Sequence, residues 1–236
     1  MRCEMIFVMS DIHGCYEKYI KMLKTINLQD EDTLYILGDV VDRGEDGIKI
    51  LQDMMNRQNI IPMLGNHEFM AYSVLKKLNV EIDEKNCEGY LKKEDMESYT
   101  EWIFNGGLPT AQAFARLTKD EKEAILDYLS EFELYEEISA GGNDFVLVHA
   151  GFEGFSESKE LWEYDLHEML WCRCEYEKQY FHDKFLVTGH TPTFTIDSAY
   201  EGKIYRKNNH IAIDCGAVKC DRLGCICLDT LEEFYV

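Results

Sequence analysis

Leu37-Gly38-Asp39-Val40-Val41-Asp42-Arg43-Gly44 decides the reading of this chain. The apolar run 33–37 ends on it, and Ile48, Leu51 and Met55 follow at helical spacing. The stretch is therefore a strand-to-helix turn crowded with carboxylates. The same pattern occurs on either side of it. Ser10-Asp11-Ile12-His13-Gly14 follows the run 5–9 and precedes Tyr16, Tyr19, Ile20, Leu23 and Ile26. Gly65-Asn66-His67-Glu68 follows 60–64 and precedes Met70, Val74 and Leu78. Three consecutive βα units predict a partly parallel sheet with right-handed crossovers. Ligands bind at the rim beyond the C-terminal strand ends of such sheets, which is where these polar residues fall.

Further along, the rhythm changes. Residues 80–140 read as a helical insertion, with an exposed acidic stretch at 81–85 and helices over 97–104 and 119–131. Strand signals return at 144–148, ending on His149, and at 184–188, ending on Gly189-His190-Thr191-Pro192. Two more cover 210–214 and 223–228. A β-rich C-terminal part fits an α/β fold of two mixed sheets flanked by helices better than one doubly wound sheet. The expectation is one domain over 1–236.

Of the 236 residues, 45 are acidic and 24 basic, a net charge of -21. The field of such a chain repels polyanions, which argues against stable nucleic-acid binding and against anionic membranes. No apolar run reaches membrane-spanning length. Nine cysteines, an odd number with no Cys-x-x-Cys, read as reduced thiols or small core residues. Cys172/Cys174 and Cys225/Cys227 are spaced as same-face strand neighbours. These features predict a cytoplasmic protein.

The strand-end residues supply chemistry. Asp11 and His13 lie two apart, so an extended segment would aim both at one ion. A carboxylate at Asp39 has two oxygens and can bridge two ions. Asn66, His149 and His190 end later strands. Two ligand sets follow: Asp11, His13 and Asp39, then Asp39, Asn66, His149 and His190. Mixed oxygen and nitrogen donors suit divalent transition ions. Two ions about 3.5–4 Å apart activate a bridging water and clamp an in-line phosphoryl displacement. Helix capping accounts for an isolated aspartate or asparagine here, but it has no use for imidazole. His67 diverges from its neighbour Asn66 and is a candidate general acid. Asp42 either holds that imidazole or pairs with Arg43, and spacing does not choose. Arg43 and Arg173 are the candidate phosphate clamps. The position of Arg173 alone reads as surface. His167, His182 and His210 read as structural or surface residues.

Asp-Ile-His-Gly, Gly-Asp-Val-Val-Asp-Arg-Gly and Gly-Asn-His-Glu, in this order and spacing, resemble the PPP-type metallophosphoesterases of the calcineurin-like superfamily, closest to the bacterial and phage serine/threonine protein phosphatases. The likeness extends over 102–107, 148–151, 170–173, 189–192 and 213–216. It implies a four-layer α/β/β/α sandwich and supports the six ligands and the His67–Asp42 proton-donor pair. It also raises Arg173 to a clamp beside Arg43. The cofactors implied are two divalent ions, manganese first, with iron or zinc as other occupants. The partners implied are a phosphorylated protein or a small phosphoester. Ser10 departs from the glycine of many members. A diadenosine-tetraphosphate hydrolase is the alternative, although that family often has Ala at the position of Asp42 and Asp at that of Glu68. A noncatalytic phosphoprotein-binding module would lack part of the constellation.

Overall fold

A computed structural model describes residues 4–79 and 92–236. The chain begins with β1 (Ile6–Met9), α1 (Tyr16–Thr25), β2 (Thr33–Ile36), α2 (Gly47–Met54), β3 (Ile60–Pro62) and α3 (Asn66–Leu78). Next come α4 (Lys93–Trp102), a kinked segment over Ile103–Gly107 with Gly106 at φ 107°, α5 (Leu108–Ala115) and α6 (Lys119–Ser130). The second half runs β4 (Tyr135–Ala140), β5 (Asn143–Val148), α7 (Leu166–Leu170), β6 (Lys184–Thr188), α8 (Thr193–Ile196), β7 (Tyr205–Lys207), β8 (His210–Ala212), β9 (Gly224–Cys227) and β10 (Glu233–Tyr235).

Two five-stranded mixed sheets result, ordered β10-β9-β1-β2-β3 and β4-β5-β6-β8-β7. The middle of each is parallel: β1, β2 and β3 in one, β5, β6 and β8 in the other. Strand period two assigns each face to a different core. Phe7 and Met9 face the helices together with Leu34, Ile36, Cys225 and Cys227. Val8, Tyr35 and Ile226 face Phe145, Leu147, Val187 and Ile211 across the gap between sheets. Val146, Val148 and Leu186 face outward onto Phe152, Tyr164, Met169 and Tyr180. The expected layering of two mixed sheets flanked by helices is what the chain forms.

The helical segment after α3 shares the outer core. Trp102, Phe114, Ile125 and Leu129 are buried in the same cluster as the β1 and β2 side chains. Its span is shorter than the sequence implies, because β4 occupies 135–140 at the edge of the second sheet, paired with β5. The acidic stretch 81–85 lies outside the described residues. The third strand stops at Pro62, two residues early: Leu64 N–H turns to Glu133 O (2.8 Å). Cys225 and Cys227 do share one face of β9. Cys172 and Cys174 lie in no strand, although both are buried in the third core. The seven cysteines Cys15, Cys172, Cys174, Cys215, Cys220, Cys225 and Cys227 are free thiols. No helix of the described residues is long and apolar enough to cross a membrane.

Candidate active site

The C-terminal ends of β1, β2, β5 and β6 meet at one rim. The turns leaving them are bent sharply: Asp11, His13, Asp39, Asp42, Arg43 and His190 all have φ between 45° and 68°. Left-handed backbone costs a non-glycine residue energy and persists only where its surroundings enforce it. Here hydrogen bonds enforce it. His13 N–H donates to Asp39 O and Gly14 N–H to Val40 O, both at 2.8 Å. The Glu68 carboxylate, fully buried, accepts from the amides of Asp39 (2.7 Å), Val40 (2.8 Å) and Val41 (3.0 Å). Burial pushes the Glu68 carboxyl up, and these amides oppose the shift. Glu68 therefore holds the Asp39 turn in place instead of facing the cleft. Gly65 fits beneath the turn, where a Cβ would run into the Asp39 amide and carboxylate. Gly65→Ala should therefore lower both thermal stability and metal content. Metal analysis and a melting curve check this, and unchanged values in both would count against the fit.

Asp39 sits at the centre. Its Oδ2 lies 3.5 Å from His13 Nε2, and its Oδ1 lies 3.5 Å from His149 Nε2. His13 donates Nδ1–H to Val41 O (2.9 Å) and His149 donates Nδ1–H to Leu37 O (2.6 Å). Both Nε2 lone pairs thus point into the site. Asn66 Oδ1 lies 3.0 Å from His149 Nε2 and 3.1 Å from His190 Nδ1. The second ligand set, Asp39, Asn66, His149 and His190, is thereby brought together. Of the first set, His13 and Asp39 converge, and His67 is their third neighbour. Asp11 lies at the same rim, where its Oδ2 accepts from His190 N–H (2.9 Å) and from Ser10 Oγ. The Ser10 hydroxyl thereby helps orient the Asp11 carboxylate. Asp214 is a further buried carboxylate whose pKa is raised, by burial first and then by Asp11. The sequence reading gave it no role.

The electrostatics suit a cation. Burial raises the Asp39 carboxyl well above its ordinary range. Burial, then the Arg43 guanidinium, depresses His13. Burial, then the neighbouring His149, drives His190 down to about 2. Imidazole nitrogens, the Asn66 amide oxygen and the buried Asp39 carboxylate converge on shared space. Two divalent ions, one beside each group that shares Asp39, would satisfy them.

Asp42 pairs with His67 and not with Arg43. Its Oδ2 accepts from His67 Nδ1 (2.7 Å) and Trp102 Nε1 (2.8 Å), and its Oδ1 from Thr110 Oγ1 (2.7 Å). With Nδ1 so engaged, His67 Nε2 faces Arg43 Nη2 (2.9 Å) and Asp39 Oδ2 (3.9 Å). Burial alone would lower the His67 pKa, but Asp39 and Asp42 outweigh it and raise the pKa. Trp102 and Thr110 escaped the sequence reading, because neither lies on a strand end. Trp102→Phe removes one donor from a buried carboxylate. It should cost about 1.5–3 kcal/mol in denaturant unfolding, and unchanged stability would show the bond to be immaterial. The Arg43 side chain also donates through Nη1 to His13 Nε2, and its amide donates to Gly106 O (2.8 Å). Arg173 reaches the same rim, where Nη1 donates to Thr191 Oγ1 (2.9 Å). His167 stacks on Trp171, His182 lies exposed beside Glu157, and His210 is buried against Tyr176.

A family model described as calcineurin-like phosphoesterase matches residues 5–213. Curated relatives divide between two activities. A symmetrical bis(5'-nucleosyl)-tetraphosphatase of Wigglesworthia glossinidia brevipalpis is 32% identical over 102 residues, 41% of this chain and 36% of that protein. The chain thus spans only about a third of that relative. Serine/threonine-protein phosphatase 2 of Salmonella typhimurium is 26% identical over 171 residues, 71% of this chain and 67% of that protein. A solved structure presented as a candidate diadenosine tetraphosphatase superposes with a TM-score of 0.67, over 99% of this chain and 93% of that one. At 17% identity it shares the fold.

Proposed function

The chain belongs to the calcineurin-like phosphoesterase family, and from that premise we propose a dinuclear-metal phosphomonoesterase that acts on phosphoserine and phosphothreonine in proteins. Asp11, His13 and Asp39 would hold one ion, and Asp39, Asn66, His149 and His190 the other, with manganese as the first choice of metal. When bound, such ions supply the water nucleophile and neutralise phosphoryl charge. The chain's own residues do the rest. Arg43 and Arg173 bind the phosphoryl oxygens. His67 carries a proton on Nε2 to the leaving oxygen, oriented by its Nδ1–H bond to Asp42.

The His67–Asp42 pair carries the reading. A serine or threonine alkoxide is a poor leaving group and needs that proton, whereas a nucleotide phosphate leaves with its charge already delocalised. A built and buried proton donor therefore favours the phosphomonoester. Hydrolysis of a dinucleoside polyphosphate is the second reading, favoured by the Wigglesworthia relative. Free thiols among the described residues support a cytoplasmic location.

The test is kcat/KM for phosphoserine, phosphothreonine and phosphotyrosine peptides against diadenosine tetraphosphate, with manganese present. The phosphoserine and phosphothreonine peptides should win. If the dinucleotide is cleaved far more efficiently, the second reading replaces the first. The net charge of -21 adds a further expectation. Basic-flanked peptides should be preferred to acidic ones at low salt, and the gap should close as salt screens the field within about 10 Å. An unchanged gap at high salt would discard electrostatic steering alone.

A further inference from the structure

Arg173 stands between two cysteines that the proposed reaction does not need. Residues 172–175 belong to no strand or helix, and burial alternates along them. Arg173 reaches outward to Thr191 Oγ1 at the rim, whereas Cys172 and Cys174 are buried in the third core. Both sulfurs converge on Gly151, two residues beyond His149. A Cβ on Gly151 would collide with Cys174 Sγ and lie 3.5 Å from Cys172 Sγ, so the glycine leaves the space that the two sulfurs share. Cys174 Sγ–H donates to Ala150 O (3.3 Å). Cys174 holds the Cys172 thiol below its ordinary pKa, against burial, and Arg173 acts in the same direction. Thiolate character of this kind makes a cysteine reactive. Cys174 and Arg173 also line an open cleft of about 1010 Å³, which gives a small oxidant access to the pair. The equally spaced Cys225 and Cys227 differ. They lie within β9, whose pairing with β1 and β10 keeps the backbone extended, and burial raises the Cys225 thiol.

We propose that Cys172 and Cys174 form a reversible disulfide when a hydroperoxide reaches them, and that this bond withdraws Arg173 from the phosphoryl group; the second half rests on Arg173 acting as a phosphoryl clamp. One thiolate of the pair attacks a peroxide oxygen. The S–O bond forms, the O–O bond breaks, and the leaving oxygen takes a proton and departs as water or an alcohol. The other thiolate attacks the resulting sulfenic sulfur. The S–S bond forms, the S–O bond breaks, and the hydroxide takes a proton and departs as water. Two thiols thus lose two electrons and two protons, and the peroxide gains them. A dithiol reverses the change by exchange and becomes a disulfide itself. Disulfides favour Cα separations of about 5.5–6 Å, whereas two extended residues span about 6.6–7.2 Å. Closing the bond therefore draws the chain in around Arg173 and breaks its reach to Thr191. In reducing compartments, bonds of this kind are transient and redox-sensing.

The test treats manganese-loaded enzyme with hydrogen peroxide, desalts it and maps its disulfides by mass spectrometry. The peptide that holds both cysteines should lose two hydrogens. In the same samples kcat/KM for an aryl phosphate should fall by about 10–100-fold, the scale of a lost charged hydrogen bond, and a dithiol should restore it. Cys174→Ser should form no such bond and keep its activity after peroxide. Arg173→Ala should form the bond yet lose no further activity, which a general distortion of the site would not reproduce. Mapping the wild-type protein needs no variant, so misfolding of Cys174→Ser leaves the test standing. Absence of the Cys172–Cys174 bond overturns the proposal. A bond without loss of activity, or a further loss in oxidised Arg173→Ala, overturns the link to Arg173. A loss that persists in Cys174→Ser, or that a dithiol does not reverse, places the damage elsewhere and overturns it too. No turnover before oxidation overturns the proposed phosphomonoesterase and the link to Arg173 with it, while the peptide map still decides the disulfide.

Discussion

His67→Asn should lower turnover of a phosphothreonine peptide by about 10²–10⁴-fold, the usual scale of a lost general acid, with both metal ions retained. The geometry gives the reason. His67 Nδ1 is committed to Asp42 at 2.7 Å, and Asp42 is itself fixed by Trp102 and Thr110. The ring is therefore held with Nε2 turned into the site, beside Arg43 Nη2 (2.9 Å). Asparagine can keep the bond to Asp42 but has no proton to give in the required direction. An activated aryl phosphate, whose leaving group scarcely needs protonation, should lose much less. That contrast is the decisive measurement, because a general loss of fold or phosphate binding would lower both substrates alike. His67 Nε2 also lies 3.9 Å from Asp39 Oδ2, close enough for a ligand role to be tested in the same variant. Metal analysis of His67→Asn separates the two: loss of an ion would make His67 a ligand, and equal losses on both substrates would remove the proton donor.

The parts of this structure legible in the sequence are those whose signal is local. β1, β2, β5 and β6 are buried on both faces and read as continuous apolar runs. The turns after them announce themselves through residues with no other business there. β4 was hidden because it is an edge strand: Glu136 and Glu137 break the apolar pattern, and its pairing partner alone makes it a strand. β7 and β10 are three residues long, too short for any period to show. The kink at Gly106 was illegible because it depends on a carbonyl reaching Arg43, 63 residues earlier in the numbering. Asp42 shows the same limit most clearly. Spacing leaves it between His67 and Arg43, and the contacts that fix its orientation toward His67 come from Trp102 and Thr110. Arg173 has no role by spacing alone, only through the resemblance, until the turn after β6 brings Thr191 to it. Local chemistry names the candidates, and long-range packing decides which of them point at one another.

Asp39→Asn should cost the protein both metal ions and nearly all activity, the largest effect expected of any single change at the site. Each Asp39 oxygen faces a different histidine, Oδ2 toward His13 and Oδ1 toward His149. An amide cannot serve both directions, and it removes the charge the two ions share. The loss of affinity should exceed the 10–100-fold that follows removal of a mere supporting partner. His13→Ala should weaken one ion and spare the other, because His149, His190 and Asn66 remain together. Stability supplies an independent readout with opposite signs in the two states. In metal-free protein Asp39 is a buried carboxylate whose ionised form burial disfavours. Removing a buried charge that lacks full compensation relieves that cost, so metal-free Asp39→Asn should melt no lower than metal-free wild type. Added manganese should raise the melting temperature of wild type and leave the variant nearly unmoved, since only a bound ligand shifts the folding equilibrium. A single ion per chain at saturation in the wild-type protein would end the two-metal reading. A metal-induced rise in Asp39→Asn equal to that of wild type would show that Asp39 does not join the two sites.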